Sequence, residues 1–174
     1  MITTKIENKK WLAILLGDFF ASDQGLLAKY HARAGEGIAA CVAYDFEQMT
    51  EKRSTPWVVT YGGLEVALFC FSEQAIDDEA LIDAFARSTG YDLPDGVART
   101  LCFFMVKPEF RKREIMGKVW AEVQKVSGGK PFLVGIRERN EPATKFYRKI
   151  SEKWLGKFPD VKNPGQDINL FLVR

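Results

Sequence analysis

The sequence predicts an α/β fold in which helices cover both faces of a mixed central β-sheet. Apolar residues recur at helical spacing through the first fifty residues, and two strand-like runs flank Gly62-Gly63 as in a β-hairpin. After the hairpin, a strand, a helix and a second strand follow one another between Val97 and Ile136. Such a unit is expected to form a right-handed crossover between parallel neighbours.

The N-terminal segment is predicted to be helical. One amphipathic stripe precedes Asp23, a second helix is expected to begin near Asp23, and another stripe follows Gly37. The first stripe consists of Trp11, Leu12, Leu15, Leu16, Phe19 and Phe20. The last stripe consists of Ile38, Cys41, Val42, Phe46 and Met49.

Strand character begins at Trp57. Residues 57–61 are rich in branched and aromatic side chains, and the following Gly62-Gly63 can adopt the positive φ angles of a tight hairpin turn. Residues 64–71 are predicted to form the returning strand, and residues 97–106 the next one. Between these two strands, the pattern predicts a short helix over residues 77–88 and a loop over residues 90–96.

Two more helices and two short strands complete the predicted order. An amphipathic helix ends at Gly128-Gly129, and its apolar stripe is Ile115, Val119, Val123 and Val126. Apolar runs at residues 132–136 and 168–173 predict strands. Asn140 is a plausible N-cap for a helix that Gly156 closes. The core stripe of that helix is Ala143, Phe146, Tyr147, Ile150 and Trp154.

Composition excludes several classes of protein. The chain has 174 residues, and we expect a single domain over residues 1–174. Apolar residues make up 47% of the chain and charged residues 28%, which is typical of globular proteins. The formal net charge of +2 is too small to favour nucleic acid as a partner. No apolar run reaches the ~18 residues of a membrane span, so we expect a cytoplasmic protein that binds no membrane.

The three cysteines predict neither a disulfide framework nor a metal site. Cys41, Cys70 and Cys102 are odd in number, widely spaced and placed inside apolar runs. We therefore expect three buried thiols in a reducing compartment. His31 is the only histidine of the chain, and one histidine with scattered cysteines is not a ligand set, so no metal is expected.

A cluster of cations follows the strand that ends at Val106. Lys107, Arg111, Lys112 and Arg113 lie where the next helix begins. A helix N-terminus presents free backbone N–H groups and the positive end of the helix dipole, which favour a phosphate group. The alternative is a solvated helix start, because runs of charge are usually surface.

This segment resembles the GNAT family of acetyl-CoA-dependent N-acetyltransferases. The family signature, a strand ending in Val-x-Pro-x-x-Arg, is matched by Val106, Pro108 and Arg111. Its second signature, an Asn that opens a later helix with Phe-Tyr two turns on, is matched by Asn140 and Phe146-Tyr147. The resemblance is clearest over residues 57–155, whereas residues 1–55 are compatible with the variable N-terminal helices of the family.

The resemblance implies a GNAT-like fold in which residues 57–174 hold the sheet and the cofactor-binding core. It also implies acetyl-CoA as acyl donor, with the pantetheine arm paired to the end of the strand and the pyrophosphate wrapped by the turn that follows. The residues that it places around acetyl-CoA are Phe104, Met105, Val106, Arg111, Lys112, Arg113, Glu114, Met116, Gly117, Asn140 and Phe146.

The resemblance assigns Tyr147 as the catalytic general acid that protonates the leaving CoA thiolate. A phenol can supply such a proton. The alternative is that Tyr147 is a core residue, since it also fits the apolar stripe of its helix. No carboxylate occurs between Arg99 and Val106 to act as general base; Glu65, Glu73 or a chain of water molecules remain candidates. His31 is interpreted as structural, or else as part of the acceptor site.

One departure from the family pattern leaves two functions open. The two glycine positions of the family turn are occupied by Glu114 and Met116, and Gly117 follows one position later. Glu114 either places a carboxylate near the phosphates or turns away to cap the helix. The first function is acetyl transfer from acetyl-CoA to a primary amine of a small molecule or peptide, within a ternary complex. The second is a catalytically inactive protein that binds CoA or a protein partner. The chain is expected to be a monomer or a homodimer.

Overall fold

Three helices form the N-terminal part of the chain, as predicted. They are α1 (Lys9–Ser22), α2 (Gln24–Tyr30) and α3 (Ile38–Thr50). The Asn8 side chain accepts hydrogen bonds from the backbone N–H groups of Lys10 and Trp11 and so caps α1. The Asp23 side chain caps α2 in the same way, by accepting from Leu26 N–H at 3.1 Å. The second helix therefore begins directly after Asp23, whose side chain satisfies one of the free donors of the first turn.

The computed structural model describes residues 1–31, 33–51, 53–75, 83, 86–87, 90, 97–159 and 165–174. The predicted helix over residues 77–88 and the predicted loop over residues 90–96 lie mostly outside the described residues. None of the described helices is both long enough and apolar enough to cross a membrane.

Four strands surround the predicted hairpin. They are β1 (Ile2–Lys5), β2 (Ser54–Tyr61), β3 (Leu64–Ala75) and β4 (Val97–Val106). Gly62 and Gly63 have φ angles of 61° and 81°, which confirms the predicted turn between β2 and β3. β1 was not predicted, although its residues 2–4 are all β-branched, because four residues are too few to establish an alternating pattern.

The remaining elements are α4 (Arg113–Ser127), β5 (Phe132–Arg137), α5 (Glu141–Ile150), β6 (Lys153–Pro159) and β7 (Asp167–Val173). The strands are hydrogen-bonded in the order β1-β2-β3-β4-β5-β7-β6. β4 pairs with β5 in parallel, Thr100 opposite Leu133, which confirms the predicted parallel strand–helix–strand unit. β5 and β6 both pair with β7 in antiparallel orientation, so the sheet is mixed, as predicted.

The chain divides into two compact units. The first contains Met1–Ser72 and Cys102–Gly128, and its core joins α1, α2 and α3 to one face of β2, β3 and β4. Met105 of β4 belongs to this core, whereas the ring of its neighbour Phe104 packs against Trp120 of α4 at 5.9 Å. Because successive strand residues point to opposite faces, helices cover both faces of this part of the sheet, as predicted.

The second unit contains Glu73–Leu101 and Gly129–Arg174. One face of its sheet carries a cluster of Ala98, Leu133, Leu170 and Leu172, against which Leu155 and Phe158 pack. On the other face, Phe171 of β7 stacks on Tyr147 of α5, with the two rings 6.1 Å apart. Alternation along β7 thus separates an aliphatic cluster from an aromatic contact with the helix.

The predicted extension of α5 to Gly156 is wrong. Ser151 is extended, with φ −76° and ψ 149°, and β6 begins at Lys153. Trp154 lies opposite Phe171 in the sheet and is 47% exposed, so it is not part of a helical core stripe. Gly156 has a φ of 130° at a register shift in β6, which explains the glycine without a helix end. A four-residue step from Ile150 to Trp154 fits a helix and a strand equally, so periodicity could not separate them.

The prediction of three buried thiols is correct for two of the cysteines only. Cys41 and Cys70 are buried, whereas Cys102 is exposed. Within β4, all of which is described, Cys102 is the one exposed residue. The apolar run in the sequence therefore did not indicate that Cys102, in the middle of β4, is exposed.

Candidate active site

The turn between β4 and α4 (residues 107–112, here the β4–α4 turn) is tied to the first unit by backbone hydrogen bonds. Lys107 N–H donates to Val66 O of β3 at 3.0 Å, and Pro108–Phe110 form one turn of 3-10 helix. Proline at the first position of this short helix has no N–H group to leave unsatisfied. Lys112 is the N-cap of α4. The Val106-x-Pro108-x-x-Arg111 pattern therefore ends a strand and begins a helix, as predicted.

Arg111 is bound within the protein. Its Nε donates to Val106 O at 2.9 Å, and its Nη1 lies 2.5 Å from Oδ2 of Asp23. The Asp23 side chain is 13% exposed, and its other oxygen caps α2. One carboxylate thus connects the start of α2 with the β4–α4 turn. The sequence did not reveal this role of Asp23, because no local pattern links it to a residue 88 positions away.

Lys107 is also compensated by an N-terminal helix. Its Nζ lies 2.5 Å from Oδ2 of Asp18 and 5.0 Å from the centre of the Phe19 ring. The side chain is 15% exposed, so the ammonium interacts with both groups in a partly buried environment. Two of the four predicted phosphate-binding cations are therefore held by carboxylates of α1 and of the α1–α2 junction.

The start of α4 carries backbone donors that no side chain of its N-cap satisfies. Lys112 makes no capping hydrogen bond, since an ammonium has no acceptor atom. Met116 N–H donates to Lys112 O at 2.9 Å, and this is the first bond of the i to i−4 ladder. The N–H groups of residues 113–115 precede that ladder. Lys112 itself is exposed. This helix start has the donors and the positive charge that bind a phosphate.

Glu114 points along α4 rather than over its N-terminus. Its Oε1 accepts a hydrogen bond from Lys118 Nζ at 2.9 Å, and its side chain is 81% exposed. This hydrogen bond and the charge of Lys118 hold the pKa of Glu114 below its ordinary value, so the carboxylate is charged at neutral pH. Of the two orientations considered for Glu114, the side chain turns away from the turn, but it pairs with Lys118 instead of capping the helix.

The two residues that follow in the family pattern differ in exposure. Met116 is half-buried, and Gly117 is exposed. A Cβ atom at Gly117 would meet no heavy atom within 4 Å, so no contact inside the protein requires glycine there. The structure describes the backbone of Arg113 but not its side chain.

The end of β4 is anchored by its side chains. Met105 and Val106 are buried, and Phe104 contacts Trp120 as described above. The ladder between β4 and β5 consists of the single pair Thr100–Leu133 among the described residues. The last six residues of β4 therefore lie beyond that ladder.

In the second unit, α5 presents the other predicted site residues. Asn140 is the N-cap, as predicted, and its Oδ1 accepts from Ala143 N–H at 3.3 Å. The ring of Phe146 packs edge-on against Tyr147 at 5.1 Å. Tyr147 is 3% exposed, and burial raises the pKa of its phenol well above the ordinary value. The phenol is therefore protonated over the whole physiological pH range, as both interpretations of Tyr147 require.

His31 has partners on both ring nitrogens. Nδ1 accepts from Arg33 N–H at 3.0 Å, and Nε2 lies 2.9 Å from Oδ2 of Asp45. The proton therefore belongs on Nε2, where it is donated to the carboxylate. The imidazole links α2 to α3, which supports the structural interpretation of this residue. Of the candidate general bases, Glu73 pairs with Arg99 at 3.0 Å.

Comparisons with known proteins identify the fold. No family model matches the chain, and no curated protein matches its sequence. Solved structures do match over 99% of this chain. A protein from Desulfovibrio desulfuricans that is assigned to the GNAT acetyltransferases has a TM-score of 0.61, 11% identity and 98% of its own chain covered. The aminoglycoside 6'-N-acetyltransferase from Enterococcus faecium has a TM-score of 0.60, 14% identity and 96% coverage. An aminoglycoside 6'-N-acetyltransferase complexed with coenzyme A has a TM-score of 0.61, 13% identity and 96% coverage.

These similarities agree with the mixed α/β fold of the chain. The TM-scores of 0.60 and 0.61 establish the architecture. At identities of 11–14%, the chemistry has to be argued from the residues of this chain. The chain therefore has the fold of the GNAT acetyltransferases.

Proposed function

We propose that the protein is an N-acetyltransferase that transfers an acetyl group from acetyl-CoA to a primary amine. The observation that carries this proposal is the uncapped N-terminus of α4, placed directly after β4 in a fold shared with acetyltransferases. One of those proteins was solved in complex with coenzyme A. We further propose that the amine belongs to a small molecule or a peptide. The enzyme would be a cytoplasmic monomer or homodimer that binds neither nucleic acid nor membranes.

The phosphates would be bound mainly by main-chain donors. The N–H groups of residues 113–115 and the ammonium of Lys112 are the groups that this chain offers, together with Arg113 and the backbone of Glu114, Met116 and Gly117. Arg111 has a different role in this proposal: it holds Val106 O and Asp23 and so shapes the β4–α4 turn. A dipole and several N–H groups suit a pyrophosphate even without a glycine-rich turn.

The pantetheine arm would pair with the backbone at the end of β4, at Phe104, Met105 and Val106. The short ladder with β5 supports this assignment, since Thr100–Leu133 is the single residue pair recorded between these two described strands. The resemblance also assigns Asn140 and Phe146, the N-cap and a mid-helix residue of α5, to cofactor binding, and this assignment remains a prediction. The same β4 backbone would polarise the thioester carbonyl and stabilise the charge that develops on its oxygen.

The transfer would be a direct attack in a ternary complex. The amine nitrogen forms a bond to the acetyl carbon, the carbon–sulfur bond breaks, and the nitrogen loses a proton to one of the candidate bases, Glu65, Glu73 or a chain of water molecules. The thiolate that leaves takes a proton from the Tyr147 phenol in this proposal. Burial keeps the phenol protonated over the physiological pH range, so the proton is present when the thiolate leaves, but the raised pKa also makes this phenol a weaker acid than an exposed tyrosine.

The experiment that tests this function combines thermal shift with thiol release. At a concentration of acetyl-CoA 100 times its Kd, binding to the folded state alone adds about 2.7 kcal/mol to the free energy of unfolding. Stabilisation together with amine-dependent thiol release from a panel of aminoglycosides, polyamines and peptides supports the enzyme. No shift at millimolar acetyl-CoA contradicts the proposal.

A second candidate function is a non-catalytic CoA-binding protein. The observation in its favour is that Lys107 and Arg111 are held by Asp18 and Asp23, while Glu114 and Met116 occupy the glycine positions. Stabilisation by CoA without thiol release from any amine would favour this function over acetyl transfer.

A further inference from the structure

Two cysteines lie side by side on neighbouring strands of the first unit. Cys70 of β3 is fully buried, and Cys102 of β4 is exposed. Cys102 Sγ donates to the backbone O of Cys70 at 3.3 Å, so its sulfur reaches the main chain of the other cysteine. Cys70 Sγ in turn lies 3.5 Å from Phe71 O. Both cysteines are free thiols.

The thiols interact with each other as well as with the backbone. The pKa of the Cys70 thiol is raised above its ordinary value by two causes. The larger is the hydrogen bond with Cys102, and the second is burial. Cys70 is therefore a thiol that an oxidant in solution does not reach. Cys102 is the accessible member of the pair, and an oxidant in solution can react with it first.

We propose that Cys70 and Cys102 are a redox modification site, at which a peroxide links β3 to β4 through a reversible disulfide. In the first step, the Cys102 sulfur attacks one peroxide oxygen, the O–O bond breaks, and a sulfenic acid and one water form. In the second step, the Cys70 sulfur attacks the sulfenic sulfur and loses its proton, and a second water leaves. Two thiols lose two electrons, and the peroxide gains them.

The proposal requires the two sulfurs to come within bonding distance without rearrangement of the strands. β3 and β4 are adjacent in the sheet, and each thiol already touches the other residue. Rotation of the Cys102 side chain from the Cys70 carbonyl toward the Cys70 sulfur is the required motion. Cys41 lies on α3, is buried, and has Arg33 O as its hydrogen-bond acceptor, so it serves as an internal control.

The test is mild oxidation of the reduced protein with hydrogen peroxide, followed by alkylation and mass spectrometry. We expect the mass of the chain to fall by two hydrogens and one pair of tryptic peptides to be joined. The linkage is identifiable because Arg87 and Arg99 separate the two cysteines into different peptides. Cys41 should be alkylated as in the untreated protein, and a thiol reductant should restore the original mass.

Variants make the result decisive. Cys41→Ser should form the linkage as the native chain does, whereas Cys102→Ser, at an exposed position, should form none. Cys70→Ala is a second variant in which Cys102 should stop at the sulfenic acid, detected by a dimedone adduct. A disulfide between two chains through Cys102, a sulfinic acid at Cys102 in the native chain, or a linkage to Cys41 would overturn the proposal. Because the readout is a mass and not an activity, it is independent of the proposed function.

Discussion

The β4–α4 turn and the start of α5 are both predicted ligand sites, yet they satisfy their polar groups in different ways. At α5, the Asn140 side chain caps the helix, Glu141 lies in the first turn, and Arg148 and Lys149 lie in the last. At α4, the N-cap is a lysine that cannot accept a hydrogen bond, and the acidic residue of the first turn pairs with Lys118.

The difference lies in the backbone donors at the two helix starts. At the N-terminus of α5, the Asn140 side chain satisfies Ala143 N–H and Pro142 has no N–H group, so capping is sufficient to explain the asparagine. At the N-terminus of α4, the N–H groups of residues 113–115 precede the helical ladder and have no side-chain cap from Lys112, and two of the cations beside them, Lys107 and Arg111, are paired with carboxylates. Phosphate binding is therefore expected to depend on α4, and any catalytic role of α5 on the single residue Tyr147.

The largest expected effect is on Tyr147. Tyr147→Phe keeps a ring that can stack on Phe171 but removes the proton donor, so kcat should fall by about 100-fold, in the range of general acid catalysis. The KM for acetyl-CoA should change much less. Because burial raises the pKa of this phenol, native kcat should show no loss from this group up to pH 10. Steady-state kinetics of the native protein and the variant over a pH series measure the fall in kcat and its pH dependence. An unchanged kcat in the variant would show that Tyr147 is a core residue without a catalytic role.

The second effect concerns the link between Asp23 and Arg111. Asp23→Asn retains the cap of α2 but removes the charge, and the free energy of unfolding should fall by about 1–2 kcal/mol. This is less than for a fully buried pair, since the Arg111 side chain is 35% exposed and solvent screens it. If this link shapes the β4–α4 turn, the Asp23→Asn variant should also have a higher KM for acetyl-CoA.

Asp18→Asn is the matched control for that variant. It removes the partner of Lys107, but the Asp18 side chain is 55% exposed, so a loss below about 1 kcal/mol is expected. Urea denaturation of the two variants gives the comparison. Equal losses would mean that burial of Asp23 does not strengthen its ion pair.

A smaller effect is expected at Lys112. Lys112→Gln should weaken acetyl-CoA binding by about two- to fivefold, as for the loss of one exposed ion pair. The effect should shrink at high salt, because salt screens exposed charges. Isothermal titration at two ionic strengths measures it, with Lys125→Gln, near the C-terminus of α4, as control. If both variants bind alike, the charge at the helix start does not contribute to binding.

The smallest effect is expected at Glu114. Glu114→Gln should tighten acetyl-CoA binding by about twofold, since the carboxylate is exposed and turned toward Lys118. Because the pKa of Glu114 is below its ordinary value, the gain should not change between pH 6 and 8. Weaker binding in this variant would show that the carboxylate helps to order the turn.

Much of the architecture was predictable, because it depends on neighbours in the sequence. The hairpin follows from two glycines with positive φ, and α2 and α5 begin at residues whose side chains cap them. The end of α5 was not predictable in this way. The four-residue step from Ile150 to Trp154 is compatible with the period of a helix and with that of a strand. Trp154 is in a strand because β6 pairs with β7.

The sequence alone was enough to locate the segment where a phosphate is expected, since a strand end, a proline and a helix start are local features. It did not reveal which charges there are available. Lys107 and Arg111 are compensated by Asp18 and Asp23, and Cys102 is exposed beside the buried Cys70, only because the folded chain brings distant residues together. Local preferences act over a few residues, whereas electrostatic compensation and burial depend on neighbours that the fold supplies.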